Sequence, residues 1–514
     1  MKILKPATLG VSSLVAFLLA CCGGHDQLSA GAPAGSAPSS EAKSSQPPPD
    51  SLAEAQGFLA AYGDGDPDRL RRWVESSYRP EWTESSWGGV DGAVAYWLAV
   101  YEQTGPLAFH SPGTHGGVQV LWFHGELTGA WLGIAFEREP EPPFRIRGLQ
   151  VARGVQPTGA EPEPEVEMDR LPAHLEAHLQ ALCSRDLFSG AAWVARGTSV
   201  LFRGACGYAD RERRIENRTD TRFSIASTAK MVTAVALAQL VEAGRLRFDD
   251  TLAAHVPEYP REIAEQVTLH HLLTHTSGIE LDWVSGYRES SRRADGVEEL
   301  LRQQLRFVDA LRPRTFRPPG RFDYTNEGFD LLGVVIERAS GLDYASYLQE
   351  RIFGPSGMEH TTARLRESRD CAVGYTHRAS ATSDREWVVP RQPNHGMSRS
   401  PRPSGSLCST VEDLFRFAAA LREGRLLDPA TVRNITEPKV EVGRLGAWTD
   451  HYGYGVEIRI GDDGERTFGH SGREAGVSSE LTVDPAGGWI VVVLANYDRA
   501  ATYLADHIRA VLPP

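Results

Sequence analysis

Ser227 and Lys230 stand three residues apart at the head of an almost wholly apolar run, Met231 to Val241, that closes on Ala243-Gly244. Residues three apart share a helix face, and a helix apolar on all sides is a buried one. The spacing therefore puts a hydroxyl beside an amine at a buried helix N-terminus. Free backbone N–H groups and the positive end of the helix dipole suit an oxyanion there. A lysine taken out of water is disfavoured in its charged form, which lets it serve as a base toward the serine. Ser-x-x-Lys by itself is common by chance, and its plain reading is a helix cap followed by a solvated lysine. Two further groups change that. Tyr324 and Asn326 sit two apart in a loop that follows Pro319-Gly320 and leads into a helix predicted over Phe329–Ala339, capped by Gly341. A tyrosine can pass a proton and an asparagine can hold a substrate amide. Near the C-terminus, His470-Ser471-Gly472-Arg473 precedes a final hairpin, where a glycine lets a substrate lie against a strand edge.

These residues need a scaffold, and the sequence supplies one. From 168 to 514 the pattern reads as one domain. It opens with a helix over Ala173–Cys183 and a hairpin over Gly190–Ala195 and Ser199–Tyr208. It closes with a hairpin over Glu480–Val483 and Trp489–Asn496 and a helix over Ala500–Val511. Strands at both ends with helical sequence between predict an α/β (α+β) fold, in which one antiparallel sheet built from the two ends is flanked by helices and carries an all-helical insertion. Residues 51–152 read as a separate small α+β unit. An amphipathic helix (Leu52, Ala55, Phe58, Leu59, Tyr62) and a second helix from about Asp68 precede strands at Gly117–Phe123, Ala130–Glu137 and Phe144–Val151. Its helix-then-strand order, with Phe58-Leu59-Ala60-Ala61-Tyr62 followed by Gly-Asp-Pro, resembles the nuclear transport factor two-like cone fold. No convergent acid/base set falls in it, so it reads as an accessory domain. An acidic, proline-bearing linker covers 153–167.

Two lysines and a short apolar run from Thr8 to Ala20 form a signal-peptide pattern over residues 1–20. The run is too short to span a bilayer as a helix. Leu18-Leu19-Ala20-Cys21 resembles the bacterial lipobox, which implies lipid modification at Cys21 and a place in the bacterial cell envelope, held to a membrane by its N-terminus. Residues 21–50, rich in Ser, Ala, Pro and Gly, then form a flexible tether. The net charge of −13 over 514 residues, with no basic block, argues against nucleic acid as a partner. Besides Cys21 and Cys22 there are four cysteines, Cys183, Cys206, Cys371 and Cys408, and none lies in a spacing that holds a metal. They can form two disulfides in any of three pairings or remain buried thiols.

In chain order the chemistry-bearing groups are S-x-x-K (Ser227, Lys230), Y-x-N (Tyr324, Asn326) and H-x-G (His470, Gly472). Class A β-lactamases and related penicillin-recognising serine enzymes carry S-x-x-K, S-D-N and K-T-G in the same order. The present set resembles that of the class C β-lactamase superfamily, which includes D-alanyl-D-alanine carboxypeptidases, D-aminopeptidases and β-lactamase-like esterases. Leu272-Leu273-Thr274-His275-Thr276-Ser277-Gly278, Ile352-Phe353-Gly354-Pro355-Ser356-Gly357-Met358, Gly405 to Leu414 and Tyr452-Gly453-Tyr454-Gly455 resemble further stretches of that family. The resemblance covers essentially all of 168–514. It implies a serine hydrolase that works through a covalent acyl-enzyme on an amide, lactam or ester, without metal or cofactor. Ser227 would be the nucleophile, Lys230 and Tyr324 would move its proton, and Asn326 would bind the acyl side. His470, Ser471, Gly472 and Arg473 would line the substrate strand, with the N–H groups of Ser227 and Arg473 as the oxyanion hole. His275 reads as loop scaffolding. His470 replaces the lysine of many β-lactamases; an unperturbed imidazole is about a quarter charged at pH 7, so it is expected to set charge preference and to bind a substrate carboxylate better near about pH 5.5. Arg473 is expected to narrow the cleft or to bind an anion. The alternative is a non-hydrolytic, membrane-tethered binding or sensor protein that keeps the pocket.

Overall fold

The structure is a computed structural model. It describes residues 51–115, 118–153, 157, 165–282, 284–310, 320–365, 370–378, 387–394, 401–445 and 448–513. The signal-peptide pattern of residues 1–20, Cys21, the tether to residue 50 and most of the linker lie outside the described residues. The chain divides into two compact units, Met1–Ala160 and Glu161–Pro514.

In the first unit four helices, Ser51–Tyr62, Pro67–Ser77, Pro80–Trp87 and Val90–Thr104, precede a four-stranded antiparallel sheet whose strands lie in chain order. The helix starts are written locally. Pro67 occupies the first turn, where no N–H is needed, and the Asp66 carboxylate accepts from the N–H groups of Asp68 and Arg69. Buried Phe58, Tyr62, Trp97 and Phe123 form the aromatic centre of this unit. Its first strand, Leu107–His115, is not apparent in the sequence, because Pro112 and Gly113 break the strand pattern. It stands at the edge of the sheet, with a register shift between Phe109 and Ser111, and an edge is where a proline is tolerated.

The second unit is built on an eight-stranded antiparallel sheet. Its strands are β1 (Gly190–Arg196), β2 (Ser199–Cys206), β3 (Val440–Leu445), β4 (Trp448–Tyr452), β5 (Glu457–Gly461), β6 (Arg466–Glu474), β7 (Val477–Val483) and β8 (Trp489–Ala495), in the order β3-β4-β5-β6-β7-β8-β1-β2. The last strand of this unit thus pairs with its first, as the sequence predicts, with Val492 opposite Trp193. Every residue of Trp-Ile-Val-Val-Val-Leu-Ala in β8 is buried, the signature of a central strand covered on both faces. The helix Leu171–Ser184 (α1) packs on β2. Between β2 and β3 lie Ala229–Glu242 (α2), Asn326–Ser340 (α3) and the other helices of the insertion, together with a short hairpin, Gly374–Arg378 and Trp387–Asn394, that the sequence pattern does not show. The C-terminal helix Ala500–Val511 (α4) packs on β7 and β8. Of the possible cysteine arrangements the structure has two disulfides, Cys183–Cys206 and Cys371–Cys408.

Candidate active site

Ser227 stands in a single turn, Ala226–Thr228, between the short strand Phe223–Ser224 and α2. The turn is tight. Ala226 has a φ of +41°, a left-handed conformation that costs a non-glycine residue roughly 1–2 kcal/mol, and its neighbours hold it there. The Ile225 N–H donates to the Leu407 carbonyl at 3.1 Å, the Ser479 hydroxyl donates to the Ile225 carbonyl at 2.7 Å, and the Thr228 hydroxyl donates to the His470 carbonyl at 3.2 Å. Gly472 of β6 completes the contact. A Cβ there would lie 2.2 Å from the Ile225 carbonyl oxygen and 3.0 Å from the Ser227 nitrogen. The glycine is thus required by the turn that carries the serine, and not only by a substrate lying on the strand.

Lys230 is fully buried and its Nζ lies 3.2 Å from Ser227 Oγ, 2.9 Å from Asn326 Oδ1 and 2.6 Å from the Ser404 carbonyl oxygen. The last two atoms can only accept, so the lysine must spend a proton on each. The serine hydroxyl can also donate. A neutral amine with two N–H bonds directed at Asn326 and Ser404 therefore presents its lone pair to Ser227 Oγ–H, which is the arrangement a general base needs. The two fixed acceptors are themselves coupled. Asn326 opens α3, and Asp330 one turn later bonds both Arg402 (2.6 Å) and the Ser404 N–H (3.3 Å). Residues four apart share a helix face, so α3 holds the lysine's side-chain acceptor and, through a buried ion pair, its backbone acceptor. The sequence reading does not find Asp330, Arg402 and Ser404. The i, i+4 spacing of Asn326 and Asp330 is the signal it could have used.

The Tyr324 ring centroid is 4.8 Å from Lys230 Nζ and 4.1 Å from the His275 ring. His275, buried and at φ +56°, accepts from the Thr325 N–H through Nδ1 at 3.2 Å, while its own carbonyl accepts from the Asp323 N–H at 2.7 Å. It thus ties the loop carrying Tyr324 to the Leu272–Gly278 segment, in keeping with a scaffolding role. Since Nδ1 accepts, the neutral ring carries its proton on Nε2, which faces the Tyr452 hydroxyl at 3.1 Å. That hydroxyl then donates to His470 Nε2 at 2.9 Å, and His470 Nδ1–H donates to the Ser471 carbonyl at 2.5 Å. An N–H at one end and a C=O at the other fix the direction of every proton in this chain. Tyr452, seen in the sequence only as part of Tyr-Gly-Tyr-Gly, is its hinge.

Three expectations about the substrate strand are corrected. His470 does not titrate near neutrality. Burial first, and then the nearby Lys230 charge, push its pKa down to about 3, so it is neutral throughout the physiological range. Burial and Lys230 likewise hold the His275 pKa well below the usual histidine range. The other two follow from strand alternation, which sends successive side chains to opposite faces. His470 and Gly472 face the serine. Ser471 and Arg473 face the other way, where the Ser471 hydroxyl bonds Glu457 Oε1 at 3.0 Å and the Arg473 guanidinium lies 3.3 Å from Thr502 Oγ1 and 3.9 Å from Glu480. The Arg473 side chain therefore neither narrows the cleft nor offers it a charge. Glu457, a further residue the sequence does not reveal, also accepts the Ser471 N–H at 3.0 Å. It is the first residue of β5, paired with Gly469, so its carboxylate replaces the strand partner that β5 no longer provides. Burial, and then the neighbouring Glu480, raise its pKa to about 8. Among the described residues no group of three or more His, Cys, Asp or Glu side chains is arranged to hold a metal ion.

Comparison with known proteins places the chain in a family. The family model described as Beta-lactamase matches residues 171–512. Penicillin-binding protein 4* of Bacillus subtilis (strain 168) is 28% identical over 355 residues, 65% of this chain and 75% of that protein. Esterase EstB of Burkholderia gladioli is 31% identical over 310 residues, 55% of this chain and 78% of that protein. The crystal structure of a penicillin binding protein from Bacillus halodurans superposes with a TM-score of 0.55 at 28% identity, covering 68% of this chain and all of that one.

Proposed function

The chain belongs to the Beta-lactamase family and is a serine hydrolase of amides, lactams or esters, and on that footing we propose that Ser227 is its nucleophile and Lys230 the base that activates it. The observation that carries this reading is the lysine nitrogen 3.2 Å from Ser227 Oγ, held there by Asn326 Oδ1 and the Ser404 carbonyl, two atoms that can only accept. As Lys230 takes the hydroxyl proton, Oγ bonds the substrate carbonyl carbon and the carbonyl π-electrons move to oxygen. The N–H groups of Ser227 and Arg473 receive that oxyanion; a donor of this kind is typically worth about 100- to 1,000-fold in kcat. Collapse breaks the bond to the leaving group, which takes the proton back through Lys230 and Tyr324. Water then repeats the sequence on the acyl-enzyme and frees Ser227. Asn326 serves twice, orienting Lys230 through Oδ1 and offering its amide to the acyl side.

Both an esterase and penicillin-binding proteins among the relatives support a carbonyl substrate, without choosing between oxygen and nitrogen leaving groups. The N-terminal pattern supports lipid attachment at Cys21 and a station at the bacterial cell envelope, with residues 51–152 as an accessory unit between tether and enzyme in chain order. The test is Ser227→Ala with a short-chain chromogenic ester. Turnover should fall below about one part in a thousand; more residual turnover than that would assign the nucleophile elsewhere.

A further inference from the structure

We propose that this site selects acyl donors whose leaving group carries no charge, namely esters and amides of neutral alcohols and amines, over donors that carry a carboxylate beside the scissile bond. The inference deepens the serine-hydrolase reading and rests on it. The direction of the substrate comes first. The proton donor to the leaving group is the Lys230–Tyr324 pair, and the Tyr324 ring stands 6.4 Å from the His470 ring. The leaving group therefore lies at the His470 end of β6, and the acyl portion runs along the strand toward Glu474.

A carboxylate on the leaving group would meet His470. Both nitrogens of that ring are already committed, Nδ1 to the Ser471 carbonyl and Nε2 to the Tyr452 hydroxyl, and the side chain is buried. The ring has neither a spare proton nor an open edge to give. Tyr452 cannot be released cheaply, because its hydroxyl is also the acceptor for His275, which holds the Tyr324 loop. Of the two ionisable residues that follow along β6 toward the acyl end, Arg473 points to the opposite face against Thr502 and Glu480. Glu474 alternates onto the cleft face with His470 and Gly472, and Arg292 lies 3.6 Å from its carboxylate. At the leaving-group end the cleft face of the strand thus presents a neutral imidazole, and the Glu474–Arg292 pair stands at the acyl end. The groups around His470 add no switch. Tyr324, Tyr452 and His275 surround it, Lys230 is engaged with Ser227, Asn326 and Ser404, and Glu457 Oε1 stands 3.6 Å from Nδ1. Any charge that Glu457 acquires is negative, and opposes an anion further.

The test uses two esters of one acyl group, phenylacetyl, with 3-hydroxybenzamide and with 3-hydroxybenzoate. Their leaving groups differ by one carboxylate, and each enzymatic kcat/KM is divided by the ester's hydroxide-catalysed rate. The full-length protein should favour the benzamide ester by about tenfold or more, the scale of one missing charge-assisted hydrogen bond, and the ratio should stay flat from about pH 5.5 to about pH 7, where His470 is neutral and Glu457 has not yet ionised, and should not fall above it. His470→Lys should bring the ratio down about tenfold. Should that variant fail to fold, His470→Gln, which is uncharged at every pH, should leave the ratio as it is; a ratio that rises in it would show that His470 had been holding the carboxylate and would overturn the inference. Equal rates on the two esters, or a ratio in the unsubstituted protein that falls with a midpoint near about pH 6.5, the ordinary imidazole value, would overturn the inference while leaving Ser227 as nucleophile. Persistent turnover of both esters by Ser227→Ala would overturn the reading beneath it.

Discussion

A lysine nitrogen with three oxygens around it has to be read proton by proton. Lys230 can act as a base only if one of its contacts is a donor, and of these three Ser227 qualifies. Tyr324, with its ring centroid 4.8 Å from that nitrogen, is the proposed second member of the proton path. Lys230→Ala and Tyr324→Phe are each expected to lower kcat on an ester by about 1,000-fold or more, and the double variant to lose little beyond the worse single one, since groups that act as a unit are not additive. Steady-state kinetics of the three variants checks this; losses that multiply would mean two independent roles. These four positions stand out because each pair is short-spaced at the head of a helix-like run, and the pairs occur in the order that the resembled family carries. The charge of His470 is not legible in that way. An imidazole's titration depends on what buries it, and Tyr452, His275 and Lys230 reach it from three segments far apart in the chain. Ser471 and Arg473 mislead for a simpler reason: neighbours in sequence are on opposite faces in a strand.

At the scale of the element, β6 is held from both sides. The turn bearing Ser227 presses on it at Gly472, and on the far face Glu457 bonds the N–H and hydroxyl of Ser471. The raised pKa of Glu457 has a defined effect on stability. A carboxyl whose folded pKa (about 8) lies above its ordinary value of 4.5 favours the fold fully below pH 4.5, and that contribution is lost as pH rises through 8. Glu457→Gln keeps an acceptor and loses the charge. Its stability in urea should therefore gain on that of the unsubstituted protein between about pH 5 and about pH 9, by on the order of 1 kcal/mol or more. Denaturation curves that shift in parallel at both pH values would show that the carboxyl does not titrate in this range. The sheet's terminal hairpins and α2 are legible from their unbroken apolar or alternating patterns. Glu457 is not, because a polar residue at the start of a strand shows no pattern until the strand's partner is known. The edge strand Leu107–His115 is hidden by its own proline.

At the scale of the molecule, the sequence marks out a hydrolase unit and a smaller unit before it, and the structure has two compact units. The disulfides cannot be read in advance, since pairing depends on which strand ends meet. Cys183–Cys206 joins the end of α1 to the end of β2, and Cys371–Cys408 reaches the strand beside Phe223–Ser224. Among the described residues no helix is long and apolar enough to cross a membrane. The attachment proposed at Cys21 rests on the sequence pattern of residues 1–21. Cys21→Ala should move the protein from the membrane fraction to the soluble fraction with kcat/KM on an ester within roughly threefold of the unsubstituted value, a difference of about 0.6 kcal/mol. Fractionation and assay of both fractions check this; a variant that stays with the membrane would point to the apolar run before it. Everything proposed for the site depends on a covalent acyl group forming on Ser227. Intact-mass analysis of the protein after exposure to a fluorophosphonate and to a short-chain ester, followed by peptide mapping, tests this directly. One adduct per chain is predicted, located on the peptide bearing Ser227 and absent from Ser227→Ala; an adduct on another residue, or ester hydrolysis proceeding without one, would contradict it.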